Sequence, residues 1–216
     1  MKKTVIINRA VPGSGKTTIT NCIVSELMEN DINVAVHSTD EYFMVGNKYI
    51  FDIEKLNTYH QKNFLEFKNS IEKKIDVVIC DNTNIASWQT EIYTQLAREY
   101  KYQILIITLN PRELEKHIES QQVTEEKPDA HGVEEDVLKN MIHEYGLYDD
   151  LLNPKILLNE KKHLHFIWDE KINKKVSIGL AKHFDSDKII RILPDEYKEF
   201  QETIGKKILS FINKGE

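Results

Sequence analysis

The sequence predicts an α/β fold with a mainly parallel sheet that is covered by helices on both faces. Three short apolar runs are typical of buried strands, at 5–7, 76–80 and 102–108. Each run is followed by a segment with helical spacing of apolar residues, at 17–30, 85–100 and 111–121. Buried strands that alternate with helices favour a parallel sheet with helices on both faces, and ligands bind at the carboxyl edge of such a sheet.

The remaining elements of the first 150 residues follow from the same periodicities. A strand is predicted at 33–37, and a long amphipathic helix at 53–74 begins after Asp52, which is a suitable N-cap. A further helix is predicted at 133–144. The segment between the predicted helices at 111–121 and 133–144 is polar and is predicted to be mobile. Together with these helices, it is expected to form a helical lid at 111–144.

The alternation weakens in the last quarter of the chain, where shorter elements are expected. The predicted strands are at 155–158, 162–168 and 176–181, the last two forming a hairpin around Asn173, and a closing helix is predicted at 194–213. The chain is therefore expected to consist of a main domain at 1–150 and a C-terminal α+β extension at 151–216. We expect the extension to pack on the sheet or to continue it.

Composition is typical of a soluble cytoplasmic protein without a membrane partner. Of the 216 residues, 40% are hydrophobic and 30% are charged, and no apolar stretch approaches the roughly 18 residues of a membrane span. A strand begins almost at the first residue, which leaves no room for a signal peptide, and the two cysteines favour a reducing compartment. The net charge of −6 is the sum of −9 at 1–150 and +3 at 151–216, so tight non-specific binding of nucleic acid is not expected of the first part.

The segment after the first strand, AVPGSGKTT, is typical of a phosphate-binding loop that leads into a helix. Gly13 and Gly15 allow backbone N–H groups to turn toward an anion, and the helix N-terminus adds positive partial charge. Lys16 can reach the β and γ phosphates, and the Thr17 hydroxyl can ligate Mg²⁺. The departure from the pattern G-x-x-x-x-G-K-[ST] is Ala10, where a glycine is expected. The expected nucleotide-binding residues are Pro12, Gly13, Ser14, Gly15, Lys16, Thr17 and Thr18.

Two carboxylates follow predicted strands that end at the same edge of the sheet. Asp40 comes shortly after the strand at 33–37, and Asp81 comes directly after the strand at 76–80. Asp40 could accept a proton from an acceptor hydroxyl, and Asp81 has the place of an acid that acts on Mg²⁺ or its water. A turn or helix cap for Asp40, and an Asx turn for Asp81, remain structural alternatives.

His60 and Asn63 lie three residues apart and therefore share one face of the long helix. That face is predicted to contact the turn at 81–84. The alternative is that both are ordinary polar residues at the edge of the core.

A series of segments occurs in an order and at spacings typical of one kinase family. The segments are 9–18, 38–43 (STDEYF), 49–52 (YIFD), His60 with Asn63, 81–84 (DNTN) with Trp88, and 131–133 (HGV). They resemble the polynucleotide-kinase-like P-loop family, within the wider group that includes zeta-toxin-like kinases. The pattern is most similar to the kinase-like domain of NEDD-four-binding proteins. Phage-type 5′-hydroxyl polynucleotide kinases are more distant, and the resemblance covers about 1–148.

The resemblance implies a P-loop NTPase three-layer sandwich that binds ATP and Mg²⁺ and transfers a phosphoryl group to a hydroxyl acceptor. The implied catalytic residues are Lys16, Asp40, Asp81 and Arg112, with Thr17 and Asp81 at the metal. The implied substrate-side residues are Glu41, Tyr42, His60, Asn63, Asn82 and Asn84. A binding or regulatory module with little turnover, and a zeta-toxin-like small-molecule kinase, are the alternatives.

Two departures bear on the activity that the resemblance implies. Phe43 stands where phage-type kinases carry an arginine that contacts the acceptor phosphate. The lid contains no arginine after Arg112, although an arginine on the moving phosphoryl group is worth about 10³–10⁵ in rate in well-studied enzymes. Arg112 or Lys127 could substitute, or Arg112 could cap its helix and Lys127 could be solvated.

Overall fold

A five-stranded parallel sheet forms the centre of the computed structural model, which describes residues 1–155, 164–169 and 174–213. The strands are β1 (Thr4–Ala10), β2 (Val34–His37), β3 (Met44–Val45), β4 (Lys48–Tyr49), β5 (Val77–Cys80), β6 (Gln103–Leu109), β7 (Leu164–Asp169), β8 (Lys174–Leu180) and β9 (Lys188–Ile192). The central sheet has the order β2-β5-β1-β6-β9, and every neighbouring pair is parallel. β3 pairs with β4 and β7 with β8 in antiparallel hairpins. The predicted mainly parallel α/β sheet is therefore confirmed.

Helices cover both faces of this sheet and form the outer two layers. They are α1 (Lys16–Glu29), α2 (Ile53–Glu72), α3 (Ser87–Glu99), α4 (Leu114–Gln121), α5 (Glu135–Asp149) and α6 (Tyr197–Asn213). Alternate residues of β1 point to opposite faces: Val5 packs with α2 and α3, whereas Ile6 packs with α1 and α6. Two apolar layers result, one on each side of the sheet. The lid helices α4 and α5 form a third, smaller cluster with Val11 and Ile85.

Local sequence features explain where α2 begins and how closely α6 packs against α1. Asp52 caps α2, because its Oδ1 accepts a hydrogen bond from the Glu54 N–H at 3.0 Å. Gly205 lies where α6 crosses α1, and a Cβ at that position would lie 2.5 Å from Glu26 Cβ. The two helices approach this closely because Gly205 has no side chain.

The C-terminal part of the chain adds an edge strand to the sheet. β9 (Lys188–Ile192) pairs with β6 and is not among the predicted strands. The predicted strand at 155–158 falls outside the described residues apart from Lys155, which lies in a turn. No helix in the described part of the chain combines the length and apolarity needed to cross a membrane.

Arg9, near the end of β1, is completely buried and ties the lid helix α5 to the sheet. Its guanidinium donates hydrogen bonds to the carbonyl oxygens of Ile85 (3.0 Å) and Tyr145 (2.7 Å) and lies 3.6 Å from the centre of the Tyr145 ring. Nη1 lies 3.3 Å from Asp149 Oδ1, and Arg191 Nη1 lies 2.9 Å from Asp149 Oδ2. Burial lowers the pKa of Arg9, and Tyr145 and Asp149 oppose this effect. Arg9 therefore has a structural role.

Asp149→Ala is expected to lower the free energy of unfolding by about 3 kcal/mol, the lower end of the range for leaving a buried charge unpaired. The lower end applies because 30% of the Asp149 side chain is exposed. Urea unfolding followed by circular dichroism measures the change. Asp136→Ala, on an exposed part of the same helix, is the control and should cost less than about 0.5 kcal/mol. Equal losses in the two variants would show that the Arg9–Asp149 pair contributes nothing specific.

Candidate active site

The loop between β1 and α1 has the backbone of a phosphate cradle. Gly13 and Gly15 have φ angles of 81° and 85°, in the left-handed region that favours glycine, and α1 begins directly afterwards at Lys16. A Cβ at Gly13 would overlap the Ser120 side chain, and one at Gly15 would overlap the Tyr197 ring. Both glycines are thus required by backbone conformation and by close packing.

Lys16 and Asp81 form an ion pair beneath this loop. Lys16 Nζ lies 2.9 Å from Asp81 Oδ1 and donates a hydrogen bond to the Asp81 carbonyl oxygen at 2.7 Å. Asp81 Oδ1 also accepts hydrogen bonds from Asn8 Nδ2 at 2.6 Å and from Thr20 Oγ1 at 3.2 Å. These contacts hold a buried carboxylate at the end of β5, next to the loop.

Sequence reasoning missed Asn8 and Thr20, although each left a signal. Asn8 is a polar residue that directly follows the apolar run 5–7 in strand β1, and Thr20 lies one helical turn after Lys16. Asn84 joins the same group, since its Nδ2 donates to the Asn8 carbonyl oxygen at 2.8 Å and its φ of 47° turns the chain after Asp81. The turn at 81–84 is therefore fastened to β1 by side-chain hydrogen bonds.

The predicted Mg²⁺ ligands are Thr17 and Asp81, and their chemistry suits an ion that arrives with phosphates. The Thr17 side chain is exposed at the loop, and Asp81 supplies a carboxylate nearby. Among the described residues, no group of three His, Cys, Asp or Glu side chains could hold a metal alone. Mg²⁺ commonly takes one or two carboxylates and completes its shell with phosphates and water. The donor set fits such an ion.

Asp40 lies in a short 3₁₀ helix (Thr39–Phe43) that follows β2, and it faces the lid. The Tyr49 hydroxyl donates a hydrogen bond to Asp40 Oδ1 at 3.2 Å, and His131 Nδ1 lies 3.9 Å from Oδ2. The rings of Tyr49 and His131 stack with their centres 4.0 Å apart. Burial raises the pKa of Tyr49, and the charge of Asp40 raises it further. The phenol therefore stays protonated and remains a hydrogen-bond donor. Because 37% of the Asp40 side chain is exposed, an acceptor group can reach the carboxylate.

Glu41 adds a third carboxylate to this edge of the sheet. Partial burial raises the pKa of Glu41, and the charges of Asp81 and Asp40 raise it further. The adjacent Tyr42 packs against the ring of Tyr59 in α2, with ring centres 5.5 Å apart. Three carboxylates and the Lys16 ammonium therefore lie at this edge, so the carboxylates outnumber the cationic group.

The other predicted substrate-side residues converge on Tyr93 and Thr39. Asn82 Nδ2 and Asn63 Nδ2 lie 3.3 Å and 3.4 Å from the Tyr93 hydroxyl, to which both can donate. Asn82 Oδ1 accepts from the Thr39 N–H at 2.9 Å, and His60 Nδ1 lies 3.0 Å from Thr39 Oγ1. The His60–Asn63 face of α2 is thus linked to the turn at 81–84 in two ways. Asn63 and Asn82 share the Tyr93 hydroxyl, and Thr39 contacts His60 through its side chain and Asn82 through its backbone N–H.

Arg112, the first residue of the lid with a cationic side chain, contacts the phosphate loop directly. Its Nη2 donates a hydrogen bond to the Gly13 carbonyl oxygen, and no side chain caps the N-terminus of α4. The backbone N–H of Arg112 donates to His117 Nε2 at 3.0 Å, while His117 Nδ1 donates to the Pro12 carbonyl oxygen at 2.7 Å. Arg112 therefore lies on the loop and does not cap its helix.

All four arginines of the sequence lie in described parts of the chain, and Arg112 is the one that contacts the loop. Arg9 and Arg191 share Asp149, as described above. Arg98 lies 2.7 Å from carboxylate oxygens of both Asp185 and Asp187. Any arginine of this chain that acts on a bound phosphate is therefore expected to be Arg112.

His117 was not among the predicted site residues, and its two hydrogen bonds predict a pH-dependent stability. Burial lowers its pKa, the hydrogen bond to the Pro12 carbonyl oxygen opposes this shift, and the charge of Arg112 lowers the pKa further. Protonation would also place a second N–H against the Arg112 N–H. The folded state thus favours neutral His117, and its contribution is complete above the unfolded pKa of about 6.5. It is lost as the pH falls from that value through the lower pKa of the folded state.

His117→Gln is expected to lose less stability than the parent protein between pH 7.5 and pH 5. Unfolding free energies at the two pH values measure the difference. The pKa values of His37 and His60 are lowered too, but both histidines are present in the parent and in the variant, so their effect cancels. His143→Gln, at an exposed position of α5, is the control. An identical pH dependence in parent and His117→Gln would contradict the assignment.

Comparison with known proteins places this chain in a family. A family model described as "Chromatin associated protein KTI12" matches residues 4–151. Human NEDD4-binding protein 2 is 30% identical over 147 residues, which is 65% of this chain. The chain spans 8% of the length of that relative.

Solved structures share the fold at low sequence identity. Kti12 of Chaetomium thermophilum, crystallised in complex with ADP-AlF3, has a TM-score of 0.53 and 13% identity, over 96% of this chain and 98% of that chain. A putative kinase from Chloroflexus aurantiacus has a TM-score of 0.56 and 10% identity, over 97% and 98% of the two chains. At these identities the likeness establishes the fold alone. The family model matches more than half of the chain and shows that the chain belongs to the KTI12 family. The shared fold and this match together show that the chain contains a P-loop kinase-like domain.

Proposed function

We propose that this chain is an ATP-dependent phosphotransferase that moves the γ-phosphoryl group of Mg-ATP to a hydroxyl acceptor, as polynucleotide 5′-hydroxyl kinases do. The observation that carries the proposal is the position of Asp40. Its carboxylate lies at the same sheet edge as the phosphate loop, is partly exposed and faces His131 of the lid. A partly exposed carboxylate in this place can take the proton of an attacking acceptor hydroxyl.

Residues of the loop, together with Asp81, would bind the phosphates and Mg²⁺. Backbone N–H groups at Gly13 to Thr18 hold the phosphates, and Lys16 exchanges part of its pairing with Asp81 for the β and γ phosphates. Thr17 and Asp81 would hold Mg²⁺, which supplies charge neutralisation on the phosphate oxygens when bound. The crystal structure of the Chaetomium Kti12 with ADP-AlF3 supports a nucleotide at this loop.

Transfer to the acceptor then needs one proton movement by a residue of this chain. Asp40 takes the proton of the acceptor hydroxyl while the new oxygen–phosphorus bond forms and the bond to the β-phosphate oxygen breaks, so that ADP leaves. Tyr49 holds the Asp40 carboxylate in place for this step. Arg112, which lies on the loop, is the arginine that can neutralise the moving phosphoryl group.

A second function is favoured by the lid. Between 113 and 144 it contains no arginine, and Arg112 is hydrogen-bonded to the Gly13 carbonyl oxygen. A domain with this lid would bind ATP and turn it over slowly, acting as a nucleotide-dependent binding or regulatory module.

Two measurements on the full chain separate these functions. Isothermal titration with Mg-ATP measures binding, and incubation with γ-³²P-ATP and 5′-hydroxyl RNA, DNA or nucleosides measures transfer. Labelled acceptor is the result expected for the phosphotransferase. Tight binding without any labelled acceptor would favour the module, and no binding of ATP would contradict both.

A further inference from the structure

A cavity of about 350 Å³ lies between α2 and α3, beside the turn at 81–84 and at the carboxyl edge of the sheet. Its size falls within the range of small-molecule sites in proteins. The α2 wall includes Asn57, Gln61 and Phe64, and the α3 wall includes Trp88 and Ile92. Four residues of the site described above also line it, namely His60, Asn82, Asn84 and Tyr93.

The lining of the cavity is polar but uncharged. No Lys, Arg, Asp or Glu is among the described residues that line it. His60 also lines it, and burial lowers the pKa of His60, so the ring is neutral at pH 7. A phosphate or carboxylate ligand would find no cationic side chain there, and an ammonium group would find no carboxylate. The lining therefore suits a ligand without charge.

Side-chain amides supply the hydrogen-bonding capacity of the cavity. The amides of Asn57 and Gln61 make no hydrogen bond to another described residue, and each offers both donors and an acceptor. Gln89 Oε1 accepts from the Ala86 N–H at 2.9 Å, and its NH₂ group makes no hydrogen bond to another described residue. Amides of this kind match the adjacent donors and acceptors on the edge of a heterocyclic base.

Apolar surface complements the amides. Trp88, in the first turn of α3, is 40% exposed, and Ile92, one turn later, is 48% exposed. The Phe64 ring lies on the opposite wall. A flat ligand that covers the indole would remove this apolar surface from water, and stacking of a base on an aromatic side chain is favourable for every base.

The cavity is connected to the proposed catalytic carboxylate. His60 and Asn82, which line the cavity, hydrogen-bond to the side chain and the backbone of Thr39, the residue directly before Asp40. A ligand in the cavity therefore lies beside the segment that carries Asp40.

We propose that this cavity binds the uncharged heterocyclic base of a nucleoside or of the end of a nucleic acid, and that this base belongs to the hydroxyl acceptor. The inference rests on the proposed phosphotransferase function. It assigns Trp88 and Phe64 to the faces of the base, and Asn57 and Gln61 to its edge. A sugar, a polyol or a serine side chain without a base does not fill such a site.

The experiment measures base binding without ATP. The chain has two tryptophans, so Trp168→Phe leaves Trp88 as the reporter of its own fluorescence. Adenosine, guanosine, cytidine and uridine are titrated separately, with ribose and inorganic phosphate as matched ligands without a base. Saturable quenching by at least one nucleoside, and none by ribose or phosphate, is expected.

Two lining variants and one control test the location of the ligand. In the Trp168→Phe protein, Gln61→Ala should weaken nucleoside binding about 2- to 10-fold, the effect of one neutral hydrogen bond. Leu65→Ala, at a 60% exposed position on another face of α2, should not change it. Trp88→Leu removes the reporter, so equilibrium dialysis with a labelled nucleoside is used, and a loss of about 10-fold or more is expected.

Three outcomes decide between this inference and the proposed function. No saturable quenching by any nucleoside, or equal affinity in the parent, Gln61→Ala and Trp88→Leu proteins, overturns the base site. Base binding with no labelled acceptor in the transfer assay overturns the phosphotransferase and the assignment of the base to an acceptor, but not the base site itself. Transfer to hydroxyl compounds that lack a base, without nucleoside binding, overturns the base site alone.

Discussion

Asp40→Asn is expected to slow phosphoryl transfer to a hydroxyl acceptor by about 10²–10⁴-fold, the usual contribution of a positioned general base. Asparagine keeps the size of the side chain and can still pair with the Tyr49 hydroxyl, but it cannot take a proton at neutral pH. ATP binding should change little, because the recorded contacts of the Asp40 side chain are to Tyr49 and His131 and not to the phosphate loop.

Initial rates of acceptor labelling and isothermal titration with Mg-ATP give the two quantities that this prediction separates. Asp129→Asn, an exposed carboxylate in the lid, is the matched control and should behave like the parent protein. Full transfer activity in Asp40→Asn would show that another group accepts the proton. A parallel loss of ATP affinity would show that Asp40 belongs to the nucleotide site.

Lys16→Ala is expected to reduce transfer by at least about 10³-fold, the lower end of the effect of a cation on the transferring phosphoryl group. ATP binding should weaken in the same variant, because Lys16 is the lysine of the phosphate loop. The change also removes the cation that lies 2.9 Å from the buried Asp81 carboxylate, so stability must be measured alongside activity.

Urea unfolding shows whether the Lys16→Ala protein is folded under the assay conditions, and titration with Mg-ATP then reports on binding. Lys68→Ala, at a half-exposed position of α2, is the control for loss of a lysine. A folded Lys16→Ala protein that binds ATP and transfers phosphate like the parent would contradict both the phosphate loop and the proposed function.

Much of the central fold was predictable from local patterns. The apolar strands β5 and β6 and the amphipathic helix α2, with its cap at Asp52, produce periodicities within short windows. β9 was missed because its sequence, KIIRI, shows neither a continuous apolar run nor strict alternation of polar and apolar residues. Its place in the sheet depends on pairing with β6, about 80 residues earlier in the chain.

The candidate site, like the fold, was predictable from the sequence only in part. The phosphate loop and the carboxylates Asp40 and Asp81 were identified from the chain alone, since glycines, a lysine and strand-end acids carry their chemistry at fixed local spacing. Arg9 begins the segment that resembles the kinase family, yet its burial against Tyr145 gives it a structural role. Nothing local distinguishes a buried arginine of this kind from one that contacts phosphate.

The sequence by itself determined the α/β class and predicted the phosphate loop and the positions of Asp40 and Asp81 after two strands. Those features depend on neighbours within a few residues or on the alternation of strands and helices. The tertiary structure decided that Arg112 and His117 contact the loop, that Tyr197 of α6 donates to the Gly15 carbonyl oxygen at 2.8 Å, and that a cavity opens between α2 and α3. These contacts join residues about 100 to 180 positions apart, and packing of the whole sheet and its helices brings them together.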